Sequence, residues 1–152
     1  MSSKNRTIDH NLRATWQAIA KMYNEEALKY ESTMATGFLL LNIDFEQGTA
    51  STSLGPKMGM EATSLSRLIK KMEARGLIYR EKNPNDGRGV LIKLTEFGVK
   101  KRETSKQSVL KFNNIVKESI PENKLNIFFE VTERINELIS KKLIFDKSNL
   151  SK

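Results

Sequence analysis

The sequence predicts a mainly α-helical fold with one small β-hairpin, in which a helix-turn-helix and the hairpin lie between long helices at the two ends of the chain. Three observations predict it. Apolar residues near both ends recur at helical spacing. In the middle of the chain, two helical segments are separated only by a glycine turn, as in a helix-turn-helix. Two short runs, LIYREK and VLIKL, then flank the turn-rich stretch NPNDGRG, which is the pattern of a hairpin.

Two helices are predicted before the helix-turn-helix. From Thr7 to about Tyr30, the apolar residues form one stripe of a long amphipathic helix. The stretch from Thr36 to Phe45 is almost entirely apolar, which predicts a second helix buried in a helical assembly. A break is predicted at residues 47–49.

The helix-turn-helix is predicted over residues 51–59 and 61–75. The first helix can be capped by Thr52 or Ser53, and Pro56 fits it only within the first turn, where the missing N–H is not needed. The glycine after residue 75 provides a C-terminal cap for the second helix. The inward face of this second helix is predicted to consist of Leu65, Leu68, Ile69 and Met72.

A hairpin and two more helices are predicted after it. The strands are expected at residues 77–82 and 90–94. Thr95 can cap a helix that runs to about Lys117. Residues 119–122 have the spacing of a capping box and open the last helix. This last helix has a wide apolar face, made of Leu125, Phe128, Phe129, Val131, Thr132, Ile135, Leu138, Ile139 and Leu143.

The long apolar stripes at both ends predict how the chain is organised. They hold more apolar surface than one small domain can cover, so we expect them to pair with a second copy of the chain. Residues 1–34 and 103–152 are accordingly predicted to form a discontinuous dimerisation region of long N- and C-terminal helices. Residues 35–102 are predicted to form a winged helix-turn-helix domain.

The composition excludes several classes of protein. No apolar run among the 152 residues approaches the roughly 18 needed to span a membrane, and the N-terminus lacks the apolar core of a signal peptide, so we expect a cytoplasmic protein without membrane association. There is no cysteine and one histidine, His10, so neither a disulfide nor a metal or other cofactor is expected. No nucleophile elbow, phosphate-binding glycine loop or paired-carboxylate motif is present, which argues against an enzyme.

Positive charge is concentrated in the middle of the chain. Residues 61–102 contain 11 basic and 5 acidic side chains, so they carry +6 of the total net charge of +8. Clustered positive charge indicates a polyanionic partner, because each neutralised phosphate releases counterions. A well-solvated basic surface is the alternative interpretation of the charge alone.

The outward face of the second helix of the helix-turn-helix is a candidate DNA-binding surface. A step of 100° per residue places Thr63, Arg67 and Lys70 opposite the apolar face, with Ser64 and Ser66 beside them. Short hydroxyl side chains allow close approach to a major groove. Arg67 can then contact a guanine edge or a phosphate, and Lys70 the backbone.

The hairpin is the second candidate surface. Arg88 at its tip, with Arg80 and Lys82 on the adjoining strand, can enter a neighbouring minor groove, whose negative potential attracts arginine. Asp86 is expected to orient an arginine or to close the turn. The alternative is a plain connector, in which Asp86 and Gly87 set a type I′-like turn and Arg88 is incidental.

These residues carry a resemblance to a known family. The segment LSRLIKKMEARGLIYREKNPNDGRGVLIKLTEFG, residues 65–98, resembles the signature of the MarR family of bacterial winged helix-turn-helix transcriptional regulators. That pattern combines E-x-x-G-L-[IV]-x-R at the end of the recognition helix, D-x-R in the wing and L-T-x-x-G after it. The matching residues are Glu73, Gly76, Leu77, Ile78 and Arg80, then Asp86 and Arg88, then Leu94, Thr95 and Gly98.

The resemblance implies a function. Such proteins are homodimers with intertwined terminal helices, and they bind palindromic double-stranded DNA, usually as repressors. Small anionic or aromatic effectors often bind between the dimerisation helices and the winged domain and weaken DNA binding. By position, Arg88 would be the minor-groove arginine of the wing, while Thr63, Ser64 and Arg67 would lie on the recognition helix.

The chain also departs from the family pattern. Gly87 stands where many members have a first arginine, and Gly55-Pro56 stands where members usually have a plain helix. The lack of cysteine excludes the peroxide-sensing branch of the family as a guide.

Two further interpretations follow from the residues. An effector pocket could be lined by aromatic and apolar side chains with an arginine as anion partner, namely Arg13, Trp16, Tyr23, Tyr30, Met34 and Phe38, although such a stripe is more often plain core. The alternative function is a winged-helix adaptor that binds proteins and no longer reads DNA. Its recognition face should be neutral or acidic, whereas this one is basic.

Overall fold

A computed structural model of the protein describes residues 6–146. The helices are α1 (Ile8–Leu28), α2 (Met34–Asn42), α3 (Ser51–Met58), α4 (Ala62–Ala74), α5 (Glu96–Ser119) and α6 (Glu122–Ser140). The strands are β1 (Thr49–Ala50), β2 (Ile78–Lys82) and β3 (Val90–Leu94). The predicted class, mainly helical with a small β-hairpin wing, is confirmed.

The chain divides into two compact units, residues 1–108 and residues 109–152, with the boundary inside α5. The domain limits predicted from the sequence, 35–102 for the winged domain and 1–34 with 103–152 for the dimerisation region, stay a prediction. Among the residues described, no helix is long and apolar enough to cross a membrane.

One apolar core holds the first unit together. It contains side chains from α2, α3, α4, the start of the wing and β3, all of them at most 7% exposed. The members are Leu39, Leu40, Ile43, Leu54, Leu65, Ile69, Met72, Leu77, Ile78 and Ile92. The predicted inward face of α4 is therefore confirmed, with Leu68 partly buried beside it.

The hairpin has a third strand that the sequence analysis missed. The antiparallel sheet has the order β1-β3-β2, and Thr49 of β1 lies opposite Ile92 of β3. Gly48 precedes it at φ +77°, a left-handed conformation that favours glycine. The buried Thr49 hydroxyl accepts a hydrogen bond of 2.8 Å from the Asp44 amide. The strand β1 was not predicted because its two residues are too few to show the alternating pattern of a strand.

The caps of α4 and α5 agree with the prediction. Gly76 has φ +75°, its amide donates to the carbonyl of Glu73, and the Leu77 amide donates to that of Met72. These two bonds form a Schellman motif. At the start of α5, the Thr95 hydroxyl accepts a 2.9 Å hydrogen bond from the Gly98 amide.

The predicted caps of α3 and α6 are wrong. The N-cap of α3 is Ala50, and no side chain caps the helix. Pro56 lies in the second turn rather than the first, and the carbonyl four residues earlier belongs to Thr52, which is exposed and can be solvated by water. Ser119 does not open α6. It is the last residue of α5, and its hydroxyl donates to the Ile115 carbonyl, while Pro121 is the N-cap of α6.

A close contact joins the end of α4, the wing and α5. Thr95 donates its amide to the Leu77 carbonyl, and its hydroxyl lies 2.5 Å from the Gly76 carbonyl oxygen. A Cβ added at Gly98 would overlap the carbonyl oxygen of Leu77, which is backbone and cannot turn aside. The motif residues around 76 and those around 95 thus meet at one place, and any side chain at position 98 would force the backbone there to shift.

The terminal helices expose their apolar faces. No residue of α1 is buried, and Ile8 and Trp16 are exposed by 69% and 53%. In the second unit no residue of α6 is buried, and five of its large apolar side chains are exposed, namely Ile127, Phe128, Phe129, Val131 and Ile139.

We expect Gly98→Ala to lower the free energy of unfolding by about 1–3 kcal/mol, because the added methyl group forces the backbone of Leu77 to move. Gly87→Ala is the matched control, since a Cβ at Gly87 meets no atom within 4 Å and should change stability by less than about 1 kcal/mol. Urea unfolding followed by circular dichroism measures both. Equal stability of the two variants would contradict the tight contact at Gly98.

Candidate nucleic-acid interface

The helix α4 presents one apolar and one polar face. Leu65, Ile69 and Met72 anchor it in the core, and the Schellman motif ends it. On the opposite side, the predicted residues Thr63, Arg67 and Lys70 are all exposed, and so are Ser64 and Ser66. The helix is therefore held along one side and offers the other side, over its whole length, to a partner.

The wing tip is a compact turn built by side-chain caps. The Asn83 carboxamide oxygen accepts from the Asn85 amide at 3.0 Å, and an Asp86 carboxylate oxygen accepts from the Arg88 amide at 3.1 Å. The Gly89 amide donates to the Asp86 carbonyl at 3.0 Å, and the Asn83 amide donates to that of Gly89 at 3.1 Å. The expectation that Asp86 closes the turn agrees with these bonds.

The type I′ alternative for this turn is wrong. A type I′ turn needs positive φ at both central residues, and neither Asp86 nor Gly87 has it. The capping carboxylate of Asp86 stabilises the bend instead. Gly87 is consequently not required by backbone geometry, and a side chain at this position would have open space around it.

Two of the cations in this region are neutralised. The Nε of Arg80 lies 3.3 Å from an oxygen of Glu73, and the Nζ of Lys93 lies 3.0 Å from an oxygen of Glu81. The hydrogen bond that Lys93 donates to the Glu81 carboxylate raises the pKa of Lys93 above its ordinary value.

Four of the predicted DNA-binding cations have no carboxylate partner in the described part of the chain. Within residues 6–146, no carboxylate lies within 4.0 Å of Arg67, Lys70, Lys82 or Arg88. Two exposed cations that the sequence analysis did not single out are Lys71, on the same helix as Arg67, and Arg75, the C-cap of that helix. The helical spacing of the basic residues between positions 67 and 75 would have predicted that both lie near Arg67.

Two of the six predicted effector-site residues, Tyr23 and Phe38, are in direct contact. Tyr23 and Phe38 pack edge to face with ring centroids 5.6 Å apart, and burial raises the pKa of Tyr23. Tyr30 instead contacts Lys101, whose Nζ lies 5.8 Å from the ring centroid. Arg13 and Trp16 are exposed, whereas Met34 is half-buried.

Two open cavities occur elsewhere in the first unit. One, of about 720 Å³, lies between α3, α4 and the sheet, and its walls include Ser66, Ile69, Arg80 and Ile92. The other, of about 550 Å³, is lined by the end of α2, the following loop and Arg102, which donates to the Leu40 carbonyl. Neither includes any of the six predicted effector-site residues. No group of residues in the described part of the chain could hold a metal ion.

The chain is similar in sequence to proteins of one known family. The model of the MarR family matches residues 33–90, which include α2, α3, α4, β2 and the wing tip. An uncharacterised helix-turn-helix transcriptional regulator of Bacillus subtilis, YxaD, is 31% identical over 103 residues, covering 66% of this chain and 71% of the relative. The chain belongs to the MarR family. The relatives it matches are described as helix-turn-helix transcriptional regulators.

A second relative and two solved structures extend the comparison. The regulator SarZ of Staphylococcus haemolyticus is 28% identical over 95 residues, covering 62% of this chain and 65%, slightly less than two thirds, of SarZ. The Staphylococcus aureus MepR–DNA complex superposes with a TM-score of 0.77 at 18% identity over 88% of this chain and 99% of MepR. The structure of Streptomyces coelicolor PcaV with its natural ligand superposes with a TM-score of 0.73 at 20% identity, over 90% of this chain and 96% of PcaV. At these identities the two structures establish the shared fold.

Proposed function

We propose that this MarR-family chain is a sequence-specific DNA-binding homodimer that represses transcription and loses DNA affinity when a small anionic or aromatic effector binds. The observation that carries the proposal is the line of Thr63, Arg67 and Lys70 along the exposed side of α4, beside a wing whose tip arginine has no carboxylate within 4.0 Å among residues 6–146.

In the proposed complex, α4 lies in a major groove of B-DNA, which accepts one α-helix. The hydroxyl side chains of Thr63, Ser64 and Ser66 are short enough for the helix to approach the base edges closely. Arg67 lies one turn further on and contacts a guanine or a phosphate, and Lys70 contacts the backbone.

The wing reaches the adjacent minor groove. Arg88 lies at the tip, where its amide is fixed by Asp86 and its guanidinium has no carboxylate partner in the described part of the chain. Lys82 lies at the base of the tip and is exposed. Both cations are therefore available to phosphates, and Arg88 can enter a narrow groove. The DNA complex of MepR, a protein of the same fold, supports this arrangement.

Dimerisation is proposed from the exposed apolar faces of α1 and α6. Exposed apolar patches of this extent mark interaction surfaces in folded proteins. A second copy satisfies two requirements together, since it covers these faces and places two recognition helices in successive major grooves. Their centres would be about 34 Å apart on a palindromic site.

Effector control is proposed for the aromatic residues of α1 and α2. Tyr23, Phe38 and the exposed Trp16 offer aromatic surface, and Arg13 lies on α1 as a partner for an anion. The structure of PcaV with its natural ligand supports a ligand-binding role within this fold. Because an effector that binds the DNA-free form more tightly shifts the equilibrium toward that form, it releases DNA.

We expect Arg88→Ala to weaken binding to a duplex from the region upstream of the chain's own gene, and to reduce the slope of log affinity against log salt by about 0.9 if Arg88 neutralises one phosphate. Fluorescence anisotropy at several salt concentrations measures both. Arg134→Ala, which removes an exposed arginine of α6, is the control and should leave both quantities unchanged. An adaptor that does not read DNA would show no difference between the two variants.

We expect Ile139→Glu to convert the dimer to a monomer and to weaken operator binding, because the charge lies in the apolar face of α6, where Ile139 is 59% exposed in the single chain. Asn126→Glu is the matched control, since a step of 100° per residue places it on the polar side of the same helix. Sedimentation velocity gives the oligomeric state. A dimer that persists in Ile139→Glu would contradict dimerisation through this face.

The single tryptophan allows a test of the effector site, because Trp16 is the only tryptophan in the chain. Titrating the DNA-free protein with benzoate, as a probe of small aromatic anions, should change the emission of Trp16 and lower the affinity for DNA. Arg13→Ala should weaken both effects, whereas Lys21→Ala, also on α1, should not. An unchanged emission together with unchanged DNA affinity would contradict an aromatic-anion site at these residues.

A further inference from the structure

The pairing of Arg80 with Glu73 distinguishes Arg80 from the other candidate DNA contacts. The Nε of Arg80 lies 3.3 Å from Glu73 Oε1, and both side chains are about 40% exposed. A guanidinium that is held by a carboxylate has to give up that partner before it can bind a phosphate. The remaining candidate cations have no such competitor within residues 6–146.

The direction of the Arg80 side chain follows from the sheet. Arg80 lies opposite Ile92 in the antiparallel β2–β3 pair, and directly opposed residues project from the same face. Ile92 is completely buried in the core. Arg80 therefore projects toward the helices, and because β2 is an edge strand, its guanidinium reaches past the core to the last turn of α4.

The position of Glu73 is unfavourable unless Arg80 is present. A carboxylate in the last turn of a helix lies near the negative end of the helix dipole. It also adds negative charge to the helix that is proposed to approach DNA. Neither helix stability nor attraction to phosphate explains why a glutamate stands at position 73. The contact with Arg80 does explain it.

Arg80 and part of α4 line an open groove of about 720 Å³, whose walls include Ser66 and Ile69. The contact between Arg80 and Glu73 links α4 to β2 at the surface, in addition to the apolar core that packs α4 against the sheet.

We propose that Glu73 and Arg80 form a brace that fixes the angle of α4 against the wing. Both are then positioning residues for DNA binding, and Arg80 is not itself a phosphate contact. This proposal rests on the proposed DNA-binding function. In that function α4 enters a major groove while the wing tip enters a minor groove, so the angle between α4 and the wing has to be fixed.

Two glutamates of the recognition-helix region provide a test with opposite expected signs. Glu73→Gln breaks the brace, whereas Glu61→Gln removes a charge from the exposed N-cap of the same helix, where the side chain makes no cap hydrogen bond. Loss of a negative charge alone favours DNA binding. We expect Glu61→Gln to bind the upstream duplex at least as tightly as the unmodified protein, and Glu73→Gln to bind about three- to tenfold more weakly, since misaligned base contacts are lost. Tighter or unchanged binding by Glu73→Gln would overturn the brace.

Arg80→Gln separates a brace from a phosphate contact. A brace predicts weaker binding with an unchanged slope of log affinity against log salt, whereas a phosphate contact predicts a slope reduced by about 0.9, and that reduction would overturn the proposal. Urea unfolding of each variant verifies that it is folded. Failure of the unmodified protein to bind the duplex would reject the proposed function itself, a result distinct from either outcome for the brace.

Discussion

The contact between Gly98 and the carbonyl of Leu77 is the constraint on which the winged domain depends. Leu77 directly follows the Schellman motif that ends α4, and Gly98 lies in the first turn of α5, so their close approach joins three elements at one point. Thr95 completes the junction, because its hydroxyl caps α5 while its amide donates to Leu77. The end of the recognition helix, the base of the wing and the start of α5 are therefore positioned by the same set of contacts.

Residues that act through local geometry could be predicted from the sequence. Gly76 stops α4 because a left-handed residue must follow the helix, and Thr95 begins α5 because its hydroxyl can replace a missing carbonyl. The stripe of Thr63, Arg67 and Lys70 follows from helical spacing once the apolar face is identified. Each of these predictions depends on neighbours within one or two turns, so no knowledge of the tertiary fold was needed.

The features that were missed depend on distant partners or on competition between local signals. The strand β1 exists because β3 lies beside it, and two residues carry no period of their own. Ser119 satisfies the spacing of a capping box, but the helix before it continues through that residue, so the hydroxyl bonds backward to Ile115. The partner of Arg80 could not be predicted either, because Glu73 reaches it only after the hairpin has folded against α4.

The ion pairs distinguish the cations of the basic region that are already neutralised from those that are available to a partner. In the sequence, Arg80, Lys93 and Arg88 each contribute the same charge of +1 to the basic stretch, so their roles cannot be distinguished. The fold separates them, since the first two are paired with carboxylates and Arg88 extends from a turn whose backbone Asp86 holds. Gly87 leaves open space next to Arg88 and is not required by a positive φ, so the tip carries one cation although the backbone could accommodate two. In the proposed complex, the wing tip therefore offers one cation, Arg88, on a turn whose backbone the Asp86 carboxylate caps.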